Sequence, residues 1–319
     1  MTGSWLSKLN PLPFSRGEAQ AWVRSLRSDI RIQFSPFQDA LAIRLRRAWE
    51  TRASSTFHLL LEALNQVDTS RTRGLNVSIY CTDYPPPMLW LVTTFHRAVN
   101  ILSFGKTPKH HILSYCNKDG DDTVIPIPDF IFWNWPQVGI SSFDQMATDI
   151  ALAGLKEPTY PNLFWIGAAS HHSRRVLLTL KDDHHLYDFR EVIWDRSDPD
   201  HLSSNSYVPL IDHAHFKYLL DVEGNGYSGR VKLLMFSRRP LFLQERPYLE
   251  YFYCDLKPFV HYIPVKHDFS DLTERLSWAE NHPDQAHAIA AQAYDYAQKN
   301  FSTAIAIQQL AKVLLTLPS

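Results

Sequence analysis

A glycine-rich turn carries the clearest chemical signal in the sequence. Residues 224–230 read Gly-Asn-Gly-Tyr-Ser-Gly-Arg, between a predicted strand over 217–222 and a predicted helix over 230–238. Glycines permit a tight turn and let backbone N–H groups approach a diphosphate, and both a helix N-terminus and an arginine favour an anion. The pattern predicts a phosphate-binding loop. The alternative is an ordinary strand-to-helix turn that leaves Arg230 exposed.

The same glycine pattern is also typical of dinucleotide-binding proteins. Those proteins place an acidic residue about 20 residues further on to bind the ribose, and Glu245 or Glu250 meets that spacing. The pattern normally opens the first βαβ unit of its domain, however, whereas much α/β sequence precedes Gly224 here. An NAD(P)-dependent oxidoreductase therefore stays as an alternative function.

Asp83 is the candidate for acid–base chemistry. It follows an apolar, β-branched run over 75–81 that predicts a buried parallel strand, and three prolines follow it at 85–87. The carboxyl ends of parallel strands open onto the clefts of α/β sheets, so a carboxylate there is well placed to act as a base. Capping a turn before the prolines is the other interpretation, and the residues alone favour neither.

An aromatic cluster lies at residues 130–135. Sugars stack on aromatic faces, so Phe130, Trp133 and Trp135 are candidates for an acceptor platform. Aromatic residues are more often simply part of the core, and that interpretation is the stronger one.

The histidines do not form a convincing metal site. They occur as doublets, for example at 110–111 and 171–172. Adjacent side chains on a strand point to opposite faces, so each doublet offers one ligand per face. Cys and Glu do not recur at metal-ligand spacing beside them. The sequence predicts no metal and no bound cofactor.

The elements that position these residues alternate between helix and strand. The spacing predicts helices over 36–51, 56–66 and 143–153, then one that starts at Pro283 and one capped by Ser302. Residues 162–167 are expected to open the second domain, and further strands are predicted over 217–222, 241–244 and 261–265. The predicted class is α/β, with parallel sheets in two Rossmann-like domains at 1–157 and 158–319.

Composition narrows the possible partners. The 319 residues carry 32 basic and 33 acidic side chains, a net charge of −1, which gives no electrostatic reason to bind nucleic acid or an anionic membrane. The three cysteines do not suggest a disulfide framework. No apolar run reaches the roughly 20 residues that span a bilayer, and no signal peptide is evident at the start. We therefore expect a soluble, cytoplasmic chain.

Several ordered segments resemble one family. They are SIYCTDYP at 78–85, PDFIFWNWP at 128–136, FWIGAASHHSRR at 164–175, the glycine-rich turn, and EYFY, LKP and HYIPV between 250 and 265. Together they are similar to the Rumi-like, capsule-associated glycosyltransferases, glycosyltransferase family 90. The resemblance implies a GT-B fold and a UDP-sugar donor, without an essential metal. It also implies transfer with inversion to a hydroxyl on a protein or glycan, with glucose or xylose as the expected sugar.

The resemblance also implies roles for single residues. Asp83 matches the family's catalytic carboxylate, and the donor-binding candidates are Gly167, Ser170, Arg174, Asp188, Gly224, Gly226, Tyr227, Ser228, Gly229, Arg230 and Glu250. Relatives often carry Ser-Arg where this chain has Ala168 and Ala169, so a non-catalytic relative that keeps the fold is a second alternative. Family members commonly work in the secretory pathway behind a signal or anchor, features that the sequence does not show.

Overall fold

Two compact units make up the structure. The computed structural model describes residues 20–26, 29–35, 42–46, 50–72, 75–83, 85, 110–180, 186–193 and 207–318. Contacts group Met1–Phe130 with Ala306–Ser319 in the first unit and Ile131–Ile305 in the second. This division differs from the predicted one, because the helix over 143–153 packs against elements at 210–215 and 231–237 of the second unit.

The first unit is built on a six-stranded sheet of order β1-β2-β3-β4-β5-β7. The first three strands pair antiparallel and the rest pair parallel. Helix α1 spans Glu50–Asn65, and the short strand β6 spans Asn117–Lys118. The sheet strands are β1 Gln20–Leu26, β2 Asp29–Ser35, β3 Ala42–Arg46, β4 Asn76–Tyr80, β5 His110–Ser114 and β7 Ile125–Pro126.

The predicted helix over 36–51 is wrong at Ala42–Arg46. Ala42–Arg46 forms strand β3, paired with β2 on one side and β4 on the other, and the helix begins only at Glu50. The register places Ile43 opposite Val77 and Leu45 opposite Ile79. Residues 42–46 fit a helical spacing, but their apolar side chains also alternate every second residue, as in a strand. Pairing with the neighbouring strands makes this segment a strand. Residues 36–41 and 47–49 lie outside the described part of the chain.

The second unit contains a five-stranded, wholly parallel sheet of order β13-β11-β10-β8-β9. Its strands are β8 Tyr160–Gly167, β9 Tyr187–Glu191, β10 Phe216–Asp221, β11 Leu241–Gln244 and β13 Ile263–Val265, and β12 Tyr248–Leu249 is a short strand outside this sheet. The helices are α2 Phe143–Ala153, α3 His172–Thr179, α4 Val231–Leu234, α5 Leu272–Asn281, α6 Pro283–Asn300 and α7 Thr303–Thr316, whose last part belongs to the first unit.

The core of the second unit explains why these segments become parallel strands. Apolar side chains of the central strands, among them Trp165, Leu220 and Phe242, are almost fully buried together with Leu276 and Ile289 of the helices. Strands covered on both faces read as continuous apolar runs, which is the pattern at 163–166 and 218–220. The α/β class and the parallel sheets predicted from the sequence are confirmed.

Local signals set several element ends as predicted. Helix α2 covers the predicted residues, with the Ser142 hydroxyl accepting a hydrogen bond from the Gln145 amide. The Ser302 hydroxyl likewise accepts from the Ile305 amide at 3.1 Å at the start of α7. Throughout the residues that the structure describes, every helix is too short or too polar to cross a bilayer.

Candidate functional site

The strand order of the second unit marks one place for a ligand. Strands β8 and β10 are neighbours, with the later strands on one side and β9 on the other, so the order reverses between β8 and β10. In open parallel sheets, ligands bind outside the carboxyl ends of the strands at this switch point. Gly167 ends β8 and Asp221 ends β10. The loops that follow these two strands, at 168–171 and 222–230, carry most of the predicted donor-binding residues.

The glycine-rich turn is packed closely against its surroundings. A Cβ on Gly224 would lie 2.9 Å from the Tyr227 carbonyl oxygen and 3.4 Å from Nη2 of Arg174. The described glycines with positive φ are Gly120 and Gly139, so Gly224 is required for close approach and not for a left-handed backbone. The helix after the turn is shorter than predicted, with one α-helical turn at Val231–Leu234 followed by a 3₁₀ turn. Its dipole therefore adds little to anion binding.

A buried charge cluster lies beside the turn and centres on Asp221. Arg246 donates from Nη1 to Oδ2 of Asp221 at 2.8 Å and from Nη2 to its backbone carbonyl at 3.0 Å. The Ser228 hydroxyl donates to Oδ1 at 2.7 Å. Nη2 of Arg230 lies 3.5 Å from the same Oδ1, and Nη1 of Arg230 donates to the carbonyl of Ile166 in β8. Asp221 thus ties the two central strands to the turn.

Nη2 of Arg230 is the unsatisfied atom of this cluster. It is buried and makes no hydrogen bond among the described residues. Burial lowers the pKa of Arg230, and the opposing charge of Asp221 acts against this shift. Burial also acts to lower the pKa of Arg246, but Tyr253 and Asp221 outweigh it, so that pKa is raised. A buried cation without a full set of acceptors favours an anionic ligand.

A second carboxylate, Glu223, joins three loops. Its Oε1 accepts from the Ser173 hydroxyl at 2.8 Å and lies 3.7 Å from Nδ1 of His171 and 3.4 Å from Nδ1 of His267. The Glu223 amide donates to Oε1 of Gln244 at 3.1 Å. The loops after β8, β10 and β13 are therefore held to one buried side chain, which is 2% exposed.

Arg174 connects the same loops through the backbone. Its Nε donates to the Glu223 carbonyl at 2.8 Å and its Nη1 to the Ala168 carbonyl at 3.3 Å. The guanidinium also lies over the Trp165 ring, 5.8 Å from the centroid. Arg230 and Arg246 contact the Asp221 carboxylate, and Arg174 contacts the backbone of Glu223, so three guanidiniums and two buried carboxylates lie in this part of the second unit.

Asp83 lies in the first unit, directly after β4. Nη1 of Arg52 in helix α1 donates to its Oδ1 at 2.5 Å, and the side chains of Arg52 and Asp83 are 17% and 31% exposed. The Asp83 carbonyl accepts a hydrogen bond from the Cys116 thiol at 3.3 Å. The carboxylate therefore stands at the carboxyl end of a parallel strand, as predicted, and a part of it is accessible.

The chain matches a known protein family over most of its length. Residues 45–316 match the family model of glycosyl transferase family 90. The chain belongs to this family. It is 28% identical over 256 residues to Protein O-glucosyltransferase 1 of Rattus norvegicus, covering 75% of this chain and 60% of that protein. It is 30% identical over 200 residues to Protein O-glucosyltransferase 2 of Danio rerio, covering 59% and 38%.

Two solved structures share a distant likeness with this family 90 chain. Anabaena Alr3699/HepE in complex with UDP and glucose matches with a TM-score of 0.40 at 10% identity, over 80% of this chain and 81% of that one. A glycosyltransferase from Rickettsia africae ESF-5 matches with a TM-score of 0.39 at 9% identity, over 84% and 82%. The chain spans about three fifths of the Rattus norvegicus relative.

The structure does not place every predicted donor-binding residue at the switch point. Asp188 lies beside Phe164 in the β8–β9 register, three residues from the level of Gly167, and its carboxylate is held by Arg190 at 2.6–2.7 Å. Three residues of strand span about 10 Å, so the structure does not place Asp188 at the carboxyl edge. Its role there is that of a partner for Arg190.

Glu250 is also engaged elsewhere. Its Oε1 accepts from Nζ of Lys232 at 2.7 Å, and both side chains are almost completely buried. The Lys232 ammonium lies 5.8 Å from the centroid of the Tyr227 ring, which is itself buried. The predicted contact of Glu250 with a ribose stays a prediction, since its charge is already matched by a lysine. Ser170 is exposed and lies two residues before the start of α3.

The predicted acceptor aromatics fall in two places. Phe130 is 1% exposed and packs against the Tyr115 ring, with centroids 5.7 Å apart, so the core interpretation holds for it. Trp133 and Trp135 belong to the second unit and are half-buried. Their role at an acceptor stays a prediction.

Sequence reasoning missed the charged residues that organise the site. Asp221 and Glu223 interrupt an apolar strand end, and Arg246 follows the next strand in the same way. Charged side chains are almost never fully buried unless paired, so charges at the ends of buried strands were the available signal. Within the part of the chain that the structure describes, no group of three or more His, Cys, Asp or Glu side chains is arranged to hold a metal ion.

Proposed function

We propose that this chain is a UDP-sugar-dependent glycosyltransferase of the GT-B type that transfers glucose or xylose, with inversion, to a hydroxyl on a protein or glycan. Family 90 membership and the O-glucosyltransferase names of its relatives support the reaction class. The family match and the relatives favour a glycosyltransferase over an NAD(P)-dependent oxidoreductase. The observation that carries the proposal is the set of three arginines around Asp221 and Glu223 at the switch point of the parallel sheet.

The donor diphosphate is assigned to the loops after β8 and β10. Gly167 and Gly224 keep the backbone close there, because a side chain on either would meet Trp165 or Tyr227 within 3 Å. Among the residues that the structure describes, the buried Nη2 of Arg230 makes no hydrogen bond and has Oδ1 of Asp221 at 3.5 Å. Arginine stays charged and binds phosphate oxygens with a planar fork, so it can neutralise the diphosphate in place of a metal ion.

Asp83 is assigned the role of the general base, which takes the proton from the acceptor hydroxyl. In a single displacement the acceptor oxygen bonds to the anomeric carbon while the bond from that carbon to the diphosphate oxygen breaks. The acceptor proton passes to the Asp83 carboxylate, and the negative charge leaves with UDP. The arginines of the second unit stabilise that departing charge. Attack opposite to the leaving group inverts the anomeric centre.

The test separates donor binding from chemistry. UDP binding is measured by calorimetry, and UDP release from UDP-glucose and UDP-xylose is measured with water or an added hydroxyl acceptor. Arg230→Ala should weaken UDP binding at least tenfold, because a charge-assisted contact is worth about 1.5–3 kcal/mol. Asp83→Asn should keep UDP binding and lose nearly all turnover, down to a small residual rate. The exposed Arg71 of the first unit provides the control variant, Arg71→Ala, which should change neither quantity.

Other outcomes identify the alternatives. Binding of NAD in the absence of UDP binding would replace the glycosyltransferase by an oxidoreductase. UDP binding without release of sugar from any donor tested would identify a non-catalytic relative. An unchanged turnover after chelation of divalent ions is the expected result for a metal-independent enzyme, and loss of turnover would contradict it.

A further inference from the structure

We propose that Arg52 is a positioning residue that orients the Asp83 carboxylate for proton abstraction. This inference rests on the proposed role of Asp83 as the base. The direct contact is a charge-assisted hydrogen bond of 2.5 Å from Nη1 of Arg52 to Oδ1 of Asp83, between side chains 31 residues apart in the sequence. Such bonds are short and directional, so they select one rotamer of a carboxylate.

The location of Arg52 points to a role beyond helix stability. It lies in the first turn of α1, which spans Glu50–Asn65. The N-terminus of a helix carries partial positive charge, so a cation there is unfavourable. The last turn, where a cation would be favoured, contains no basic residue. Pairing with Asp83 offsets the unfavourable position of Arg52.

The Arg52 guanidinium is itself held in place. It lies over the Phe130 ring, 5.2 Å from the centroid, and Phe130 packs against Tyr115. The Thr56 hydroxyl donates to the Arg52 carbonyl at 2.8 Å and therefore accepts from the Tyr115 hydroxyl at 2.6 Å. Burial raises the pKa of Tyr115 well above its ordinary value, which keeps this donor protonated. The Arg52 guanidinium is thus in contact with Phe130, and the Arg52 main chain is held by Thr56.

The backbone of Asp83 is fixed from the other direction. Its carbonyl accepts from the thiol of buried Cys116, which follows the neighbouring strand β5. Both the main chain and one carboxylate oxygen are restrained, while about a third of the side chain remains exposed. A general base must lie within hydrogen-bond reach of the proton it takes, and a displacement of about 1 Å can cost 100-fold in rate. Arg52 supplies that restraint.

The experiment is a double-mutant cycle on turnover. Arg52→Met, Arg52→Lys, Asp83→Asn and the Arg52→Met/Asp83→Asn double variant are compared in kcat, KM for UDP-glucose, UDP affinity and Tm. Arg52→Met should lower kcat about 10–100-fold with UDP affinity unchanged. Arg52→Lys keeps a cation without the fork and should recover part of the loss. In the Asp83→Asn background, Arg52→Met should lower kcat no further, since Arg52 acts through Asp83.

Each contrary result has a distinct meaning. An unchanged kcat in Arg52→Met, or a loss that adds in full to that of Asp83→Asn, overturns the positioning role and leaves the proposed function standing. Full turnover in Asp83→Asn, or no turnover in the wild type, overturns the proposed function and this inference with it. If Arg52→Met does not fold, the same cycle run with Arg52→Lys decides between the coupled and the additive result. Arg71→Met, an exposed arginine of the same unit, is the matched control.

Discussion

Nζ of Lys232 and Oε1 of Glu250 lie 2.7 Å apart in an ion pair whose two side chains are 0% and 2% exposed. The ammonium also faces the rings of Phe132 and Tyr227, 5.4 Å and 5.8 Å from their centroids. Taking two charges out of water costs several kcal/mol per ion, which only their close pairing offsets. Loss of either partner therefore removes the close counter-charge of the other in the second unit.

Lys232→Met should lower the free energy of unfolding by about 3–5 kcal/mol, because it leaves the Glu250 carboxylate buried without its cation. The Lys232→Met/Glu250→Leu double variant should recover most of that loss, since an apolar pair of similar size carries no desolvation cost. Urea unfolding followed by tryptophan fluorescence measures both. A single variant as stable as the wild type would contradict the prediction.

The double variant also tests the predicted ribose contact of Glu250. Once its stability is restored, its affinity for UDP is compared with its affinity for inorganic diphosphate, which lacks a ribose. A ribose contact predicts that UDP affinity falls while diphosphate affinity is kept. Equal retention of both would assign Glu250 to the ion pair alone.

Gly224→Ala should weaken UDP binding and destabilise the second unit by about 1–3 kcal/mol, the usual cost of overpacking. The new Cβ would lie 2.9 Å from the Tyr227 carbonyl, so the turn must move. Gly120→Ala is the matched control, with φ of +77° and open space around its Cβ. It should cost about 1–2 kcal/mol through its backbone conformation and leave UDP affinity unchanged. Equal UDP affinities in the two variants would contradict the steric argument.

The parallel strands of the core could be predicted because a strand that is buried on both faces has a continuous apolar sequence. The apolar runs that became β4, β10 and β11 are within one or two residues of their predicted bounds. Strand β3 was not predictable in this way, because Ala42–Arg46 also fits a helical spacing and only pairing with β4 decides. The apolar pattern of a segment specifies its secondary structure where one or both of its faces are buried. Elsewhere, contacts with neighbouring strands or helices specify it.

The site was predictable at its glycines and less so at its charges. Gly224 predicts a close backbone approach, and Arg230 predicts an anion. In the structure both residues lie in the loop at the switch point. Asp188 and Glu250 were both predicted to bind the donor, and the ion pairs that they make with Arg190 and Lys232 were not predicted. The pairing of cations with carboxylates depends on contacts between residues that are distant in the sequence. The spacing of residues along the sequence does not predict such contacts.

Glu223→Gln should lower the pKa of His171 further below its ordinary value. Burial already lowers this pKa, and the Glu223 carboxylate acts in the opposite direction by stabilising the imidazolium. The amide is similar in size and keeps an oxygen for the Ser173 hydroxyl, so the loss of charge is the main change. Titration of the His171 ring protons by NMR measures the shift, and an unchanged pKa would show that the 3.7 Å contact has no electrostatic weight.

His213 should make the fold sensitive to acid. Burial, and then the charge of Arg230, lower its pKa from 6.5 to about 3. Its ring packs edge-on against Phe164 and its Nε2 lies 3.3 Å from the Val208 carbonyl, which suits a neutral imidazole that donates. Above pH 6.5 the ring is neutral in both folded and unfolded chains and costs nothing. Between pH 6.5 and 3 only the unfolded chain takes up the proton, so stability falls as the pH falls.

The size of this effect follows from the difference between the two pKa values. At pH 4.5 the wild type should have lost about 2–3 kcal/mol through His213, and below pH 3 the loss should level off. His213→Gln keeps a donor for the Val208 carbonyl but does not titrate. The difference in unfolding free energy between the two proteins, measured in urea from pH 7.5 to 4, cancels the other titrating groups. It should favour the variant increasingly toward acid, whereas a constant difference would mean that His213 is protonated in the folded chain as readily as in the unfolded one.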